Sequence, residues 1–280
     1  MRVLVTGGSG YLGTYVRQFF SADDFSRRSA CDVLDEQVVK TVADYDAVIH
    51  LAAHFDKHPD GALQCFRTNV DGTANVIRNM KPGAAFIYAS TKDVYGSNAG
   101  ETDTVNESTS TEYCGQSAFE WSKLIGERYV EYYARTRNVR ACIFRLSTVF
   151  ARPSDDNAPG FVTHYVESVK HQRPVRLPVG VDPVRDILYV DDFSRACRSF
   201  IDSDREFGLY NLGGGRLNAV SLRDILKRVG TMIEIEPVIQ EDPAMPVPVP
   251  LRYVSDTTRV SDELNWRPWI GIDDGLRVIL

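Results

Sequence analysis

The chain has 280 residues, 43% of them apolar, and a formal net charge of −6. That length allows one large α/β domain or a domain with a smaller cap, with enough chain to bury a sizeable core. The acidic balance argues against a broad nucleic-acid surface, and no apolar run approaches the roughly 20 residues that span a bilayer. Cys31, Cys65, Cys114, Cys142 and Cys197 are scattered and form no C-x-x-C pair. The chain enters a strand at once, without a recognisable signal peptide. The cysteines therefore read as reduced thiols of a cytoplasmic protein.

Residues 3–5 read as a buried parallel strand and residues 14–20 carry helical apolar spacing. Between them runs Thr6-Gly7-Gly8-Ser9-Gly10-Tyr11-Leu12-Gly13. Gly8, Gly10 and Gly13 fit G-x-G-x-x-G; Gly7, Gly10 and Gly13 fit T-G-x-x-G-x-x-G. Bare backbone lets a pyrophosphate approach a helix N-terminus, where free N–H groups and the dipole favour an anion. In a strand–turn–helix setting the motif predicts dinucleotide binding.

A cramped second strand is expected over residues 25–28. An acid near the end of that strand would grip a ribose 2′-hydroxyl, whereas an arginine would suit a 2′-phosphate. Arg27 and Arg28 stand at about that place, so the reading leans toward NADP over NAD; a solvated basic pair is the alternative. Asp32 opens a D-V-L-D segment that leads through an amphipathic helix to the next strand, residues 47–53, which ends in the small Ala52 and Ala53. A flat ligand can lie against such a strand end. His54 and His58 have the spacing of a metal pair, but Pro59 and the lack of a third ligand leave them ordinary polar residues, and no metal is expected.

Residues 68–77 predict a helix, 84–91 a buried strand ending in hydroxyls, 100–116 a polar loop over the site, and 118–134 a long helix carrying Lys123. A further strand spans 140–146. This alternation argues for an α/β fold with a doubly wound, Rossmann-like parallel sheet. Beyond residue 150 come a loop (154–160), a helix (161–171), an approach (184–192) to the helix 193–203, a strand (208–212) and a helix (221–229) capped by Ser221. A proline-rich connector (243–250) and a short last helix follow. The expected division is a dinucleotide-binding domain of residues 1–150 and 184–213, and a smaller mixed α/β substrate-binding cap of residues 151–183 and 214–280.

Several short runs, in this order and spacing, resemble the extended short-chain dehydrogenase/reductase family of nucleotide-sugar epimerases, dehydratases and ketoreductases. They are residues 6–13, 32–35, His50-Leu51-Ala52-Ala53, Asn69-Val70-Asp71-Gly72-Thr73, Tyr88-Ala89-Ser90-Thr91, Val94-Tyr95-Gly96, Ser122-Lys123, Arg185-Asp186, residues 210–215 and Asn265-Trp266-Arg267-Pro268. The resemblance implies that Gly7, Gly10 and Gly13 hold the pyrophosphate of NAD or NADP, with Tyr11 and Leu12 in the same loop. It places Asp32 and Val33 at the adenine, Leu51, Ala52 and Ala53 along the cofactor wall, and Asn69 in the cofactor site. Thr91 would bond the oxygen at the reacting sugar carbon, and Lys123 the nicotinamide ribose. Lys92, Thr148 and Arg185 would line the substrate site. Arg185 would grip the diphosphate of a nucleotide sugar with its planar fork. A homodimer through the Lys123 helix is implied as well.

Three departures qualify the resemblance. The family's catalytic tyrosine stands four residues before the lysine, one helical turn away; here that residue is Phe119. A phenol held near neutral pKa by a lysine can move a hydroxyl proton, and phenylalanine cannot. Phe119 leaves open a deliberate Tyr-to-Phe variant or a chain that lost or relocated its acid/base, with Tyr95 and Tyr113 as stand-ins. An inactive cofactor-binding sensor or scaffold is the rival function. Secondly, Lys92-Asp93 follow Thr91 where dehydratases carry Asp-Glu, which argues against water elimination. Finally, the family's second diphosphate arginine is missing from its usual place, leaving Arg252 or Arg259 to fill it. The run from Gly213 to Leu222 resembles CDP-sugar 2-epimerases. The expectation is an NAD(P)-dependent nucleotide-sugar epimerase or 4-ketoreductase.

Overall fold

A computed structural model describes every residue except Tyr113, Cys114 and Asp155. Its first half alternates as expected: β1 (Val3–Thr6), α1 (Tyr11–Phe20), β2 (Asp23–Phe25), β3 (Ala47–His50), α2 (Ala62–Phe66), α3 (Gly72–Arg78), β4 (Ala85–Thr91), α4 (Ala118–Arg137) and β5 (Arg140–Leu146). The second half adds β6 (Thr148–Phe150), α5 (Phe161–Lys170), β7 (Val175–Pro178), β8 (Val184–Tyr189), α6 (Val190–Asp202) and β9 (Phe207–Leu212). The chain closes with β10 (Ala219–Ser221), α7 (Leu222–Ile233), β11 (Ile239–Asp242), β12 (Arg252–Tyr253), α8 (Thr258–Leu264) and α9 (Ile272–Ile279).

The main sheet has the order β2-β1-β3-β4-β5-β9, and every pairing in it is parallel. Side chains alternate across a strand, and the sequence uses both faces. Val3, Val5, Ile49, Ile87 and Phe144 join one core with residues of α1, α5 and α6. Leu4, Val48, Phe86 and Ile143 join the other with residues of α3 and α4. Apolar runs without polar alternation are thus the mark of strands covered on both faces. The chain leaves β1 toward β2 on one side and returns to β3 on the other. That reversal opens a crevice at the carboxyl ends of β1 and β3, the usual ligand position in such sheets.

A smaller sheet runs β10-β8-β12, with β6 also paired to β8, and β7 pairs with β11. Of residues 184–213, only β9 joins the main sheet, while β8 belongs to the small one. Three local expectations are corrected. Residues 27–29 form a 3-10 turn, so β2 stops at Phe25. Residues 38–44 are 3-10 rather than α-helical; only Val39 and Val42 are buried there, too narrow an apolar stripe to build a full helix against. The helix expected at 68–77 starts earlier, as α2 runs into α3 through a π turn at Arg67–Asp71. Among the described residues no helix is long and apolar enough to cross a membrane.

Candidate active site

Gly7 leaves β1 with φ +67°. A Cβ there would lie 2.7 Å from the Ala52 nitrogen, and one on Gly13 would lie 2.2 Å from the Gly7 carbonyl oxygen. The turn, the N-terminus of α1 and the end of β3 therefore touch backbone to backbone. Gly10 caps α1 in extended geometry without a side-chain cap, so the first N–H groups of the helix are left for a ligand. A cleft opens there, lined by Gly7, Gly10, Arg27, Asp32, Val33, Leu51, Ala52 and Ala53. This shape fits an adenine dinucleotide: glycines where side chains would clash, a helix N-terminus for the diphosphate, and apolar Val33 and Ala52 for a base.

Tyr11, Leu12, Gly13, Asn69 and Lys123 do not line that cleft. Tyr11 uses its phenol on the scaffold: it accepts from the Ala151 N–H at 2.8 Å and lies 2.8 Å from the Thr163 hydroxyl. Side chains that the sequence did not single out for the site also line the cleft, among them Ser26, Gln64, Thr68 and Asn157. Asn157 donates to the Ser9 carbonyl, and Arg28 donates to the carbonyls of Ser9 and Asp156. Nothing in a linear sequence ties Asn157 to Ser9, because a loop far along the chain must fold over the glycine turn.

At the end of β2, the place of a ribose-binding acid is taken by Ser26, which is buried and donates to Asp24. Arg27 is exposed beside it.

The walls are fixed by buried polar contacts. His50 bonds Thr6 through Nδ1 (2.8 Å) and Thr73 through Nε2 (3.0 Å). Thr73 gives its proton to the Asn69 carbonyl, so it accepts from His50, and the ring carries its hydrogen on Nε2. Burial, and secondarily the Lys123 charge, push the His50 pKa down to about 3. Asn69 accepts from the His54 N–H (2.7 Å) and donates to the His54 carbonyl (3.0 Å) and the Ser122 hydroxyl (2.8 Å). The π turn aims Asn69 inward, locking the segment after β3 to α4, a use such turns often serve near functional sites.

The catalytic candidates stand at the end of β4 and the start of α4. Thr91 accepts from the Asp93 N–H. Phe119 is 7% exposed and packs edge-on against Phe55, with ring centroids 4.7 Å apart. Lys123 is buried and donates to the Ala89 carbonyl at 2.8 Å. Burial lowers its pKa to about 8, against the opposing pull of Glu127. Around Thr91 lies an ion cluster: Lys92 pairs with Asp93, and Lys57 pairs with Asp93 (3.2 Å) and with the buried Glu120 (2.6 Å). Burial would raise the Asp93 carboxyl, but Lys92 and Lys57 outweigh it and hold it well below the carboxylate range. Lys57 and Glu120 went unnoticed in the sequence because their meeting depends on the fold.

Arg185 is buried on β8, donates to the Val184 and Leu251 carbonyls, and feels the Asp93 charge. Tyr253 stands opposite it in register, so Arg252, one residue earlier, leaves on the opposite face of the strand. Arg252 is not brought together with Arg185. Thr148 opens β6, paired to β8. Tyr95 does not fill the phenol's place: its hydroxyl donates to Asn211 and accepts from Arg145 inside the core. Tyr113 lies outside the described residues. Among the described residues no group of three metal-binding side chains gathers, and Cys31, Cys65, Cys142 and Cys197 are free.

This architecture has known counterparts. The chain is 28% identical to dTDP-glucose 4,6-dehydratase of Mycobacterium tuberculosis over 312 aligned residues, covering 100% of this chain and 92% of the relative. It is 23% identical to CDP-paratose 2-epimerase of Salmonella typhi, covering 99% and 97%. RMD from Pseudomonas aeruginosa, solved with NADPH, superposes with a TM-score of 0.81 at 21% identity, over 100% of this chain and 98% of that one. The model of the NAD dependent epimerase/dehydratase family matches residues 3–213, and the chain belongs to that family.

Proposed function

We propose that the protein transfers hydride between NADP(H) and a carbon of a nucleotide-diphosphate sugar, as a ketoreductase. The observation that carries this reading is the glycine-lined dinucleotide cleft; the Lys92–Asp93 pair that follows Thr91 at the end of β4, with Arg185 in reach of the Asp93 charge, supports it. The nicotinamide supplies the hydride when bound. The glycine turn and the α1 N-terminus hold its diphosphate, and Leu51, Ala52 and Ala53 its wall. Thr91 orients the sugar oxygen. Arg185 meets the substrate's negative charge. Lys123 serves the nicotinamide ribose once it exchanges the Ala89 carbonyl for the ribose hydroxyls.

Lys92 speaks against dehydration, because Lys92-Asp93 follow Thr91 where the family's dehydratases carry Asp-Glu. The preference for NADPH is supported by Arg27, exposed on the cleft just past β2, beside a Ser26 hydroxyl that holds the Asp24 carboxylate in a hydrogen bond. Epimerisation is the second reading, favoured by the Gly213–Leu222 run and the CDP-paratose 2-epimerase relative. The exposed Leu63 and Phe66 of α2 and Tyr129 and Tyr132 of α4 suit a homodimer through these helices.

The test is calorimetric titration of the purified chain with NADPH and NADH, alongside Arg27→Ala. The expected result is tighter NADPH binding that weakens at least about tenfold in the variant while NADH is little changed. Equal or tighter NADH binding removes the NADP preference. Absence of binding by either nucleotide removes the enzyme reading.

A further inference from the structure

Hydride transfer to a carbonyl requires a proton at the oxygen, and position 119 offers none. The groups near Thr91 are mostly committed. Lys123 gives a hydrogen bond to Ala89. Tyr95 is tied to Asn211 and Arg145. Glu120 accepts from the Ser117 N–H and hydroxyl and pairs with Lys57. Lys92 is different. It follows Thr91 directly, at the carboxyl end of β4 where ligands of such sheets lie, and its side chain is only 11% exposed.

We propose that Lys92 is the proton donor of the reaction, taking the role that a phenol at position 119 would have. The inference rests on the reductase reading above. Lys92 gives an Nζ proton to the carbonyl oxygen as hydride reaches the carbon. The N–H bond breaks, the O–H bond forms, the sugar is reduced and the nucleotide oxidised. The neutral amine then regains a proton from water, with Asp93 holding the ammonium in place.

The surroundings suit that exchange. Lys92 faces Asp93, its ion-pair partner, and the Tyr253 ring, whose centroid is 5.1 Å from Nζ. Arg185 and Lys57 add two positive charges. Burial is the largest effect on Lys92, and with both neighbouring cations it drives the ammonium toward release, opposed by Asp93. A lysine so placed loses its proton more readily than a solvated one, which is what an acid working near neutral pH needs.

Two measurements decide the matter. The first needs no substrate: protein labelled with 13C at the lysine ε carbons is titrated by NMR, with Lys92 assigned by its loss in Lys92→Arg. A midpoint for Lys92 below that of the bulk lysines supports the proposal, and one among them overturns it. The second uses NADPH and the 4-keto-6-deoxy sugars formed from dTDP-glucose and CDP-glucose. Wild type is expected to reduce one of them at a rate that falls as pH rises through the Lys92 midpoint. Lys92→Arg and Lys92→Met should lose at least about 100-fold with NADPH affinity retained, and Lys92→Met/Phe119→Tyr should regain turnover. Turnover by Lys92→Met at the wild-type rate overturns the proposal. So does an inactive wild type beside an active Phe119→Tyr, which would leave the family reading standing. Failure of both to reduce either probe while NADPH binds removes the reductase reading and this proposal together.

Discussion

Glu127 carries its charge in the core, 2% exposed. Arg145 reaches it twice, from Nε at 2.9 Å and Nη2 at 2.6 Å, and the Ser90 hydroxyl completes the shell. Through Tyr95 and Asn211 the network joins the strand that bears Thr91 to the loop at Val105. Glu127→Ala leaves the Arg145 charge buried and uncompensated. The expected loss is about 3–5 kcal/mol in urea unfolding; a loss under about 1 kcal/mol would mean that water replaces the carboxylate. His50 gives the chain a pH signature. Its folded pKa of about 3 lies below the ordinary 6.5, so between those values the unfolded chain binds the extra proton. Stability is therefore complete above pH 6.5 and falls as pH drops toward 3, by at most about 1.4 kcal/mol per pH unit from this group. His50→Asn should flatten that slope in unfolding curves taken from pH 7 to 4. Thr91, Phe119 and Lys123 stand out in the sequence through the resemblance, Phe119 and Lys123 by their one-turn spacing, and the structure places them at the end of β4 and the start of α4. Glu120, Lys57 and Asn157 were not, since each gains its meaning from a partner far away in the sequence.

At the scale of elements, the β1–α1 turn is the most constrained piece. Its glycines are required by contacts rather than by flexibility alone, because the Gly13 Cβ position is 2.2 Å from the Gly7 carbonyl and 2.8 Å from the Gly8 Cα. Gly13→Ala must push the turn away from α1. The expected outcome is a loss of about 1–3 kcal/mol in stability and at least tenfold in NADPH affinity; unchanged affinity would place the diphosphate elsewhere. The strand–turn–helix pattern was readable because hydrophobic period and glycine spacing are local properties. The π turn and the 3-10 segments were not, because tertiary contacts at Asn69, Val39 and Val42 decide how tightly the backbone winds there. Register also escaped the sequence: Arg252 is an available guanidinium by composition, yet pairing puts it on the wrong face for Arg185.

Across the whole molecule, one buried carboxylate ties the C-terminal segment to α6, alongside bonds from Arg152, Lys170 and Asn218 to its carbonyls. Asp192 is fully buried on α6 and accepts from the backbone N–H groups of Trp269 and Ile270, each at 2.9 Å, while pairing with Arg195. Trp266 donates to the Asp192 carbonyl. Asp192→Ala should cost at least about 2 kcal/mol and expose residues 266–280 to proteolysis; resistance equal to wild type would mean that the apolar contacts of Trp266 and Leu276 suffice. The doubly wound sheet was legible because strand and helix patterns alternate. Placing β8 in the small sheet was not, since an apolar strand does not declare its neighbours. A dinucleotide lying in the crevice between β1 and β3 is the premise of the proposed function. Calorimetric titration of the full chain with NADPH tests it most directly. The expected result is saturable binding of one nucleotide per chain, at least tenfold weaker in Gly13→Ala, and a chain that binds no NADPH or NADH, or binds them equally well in that variant, would contradict it.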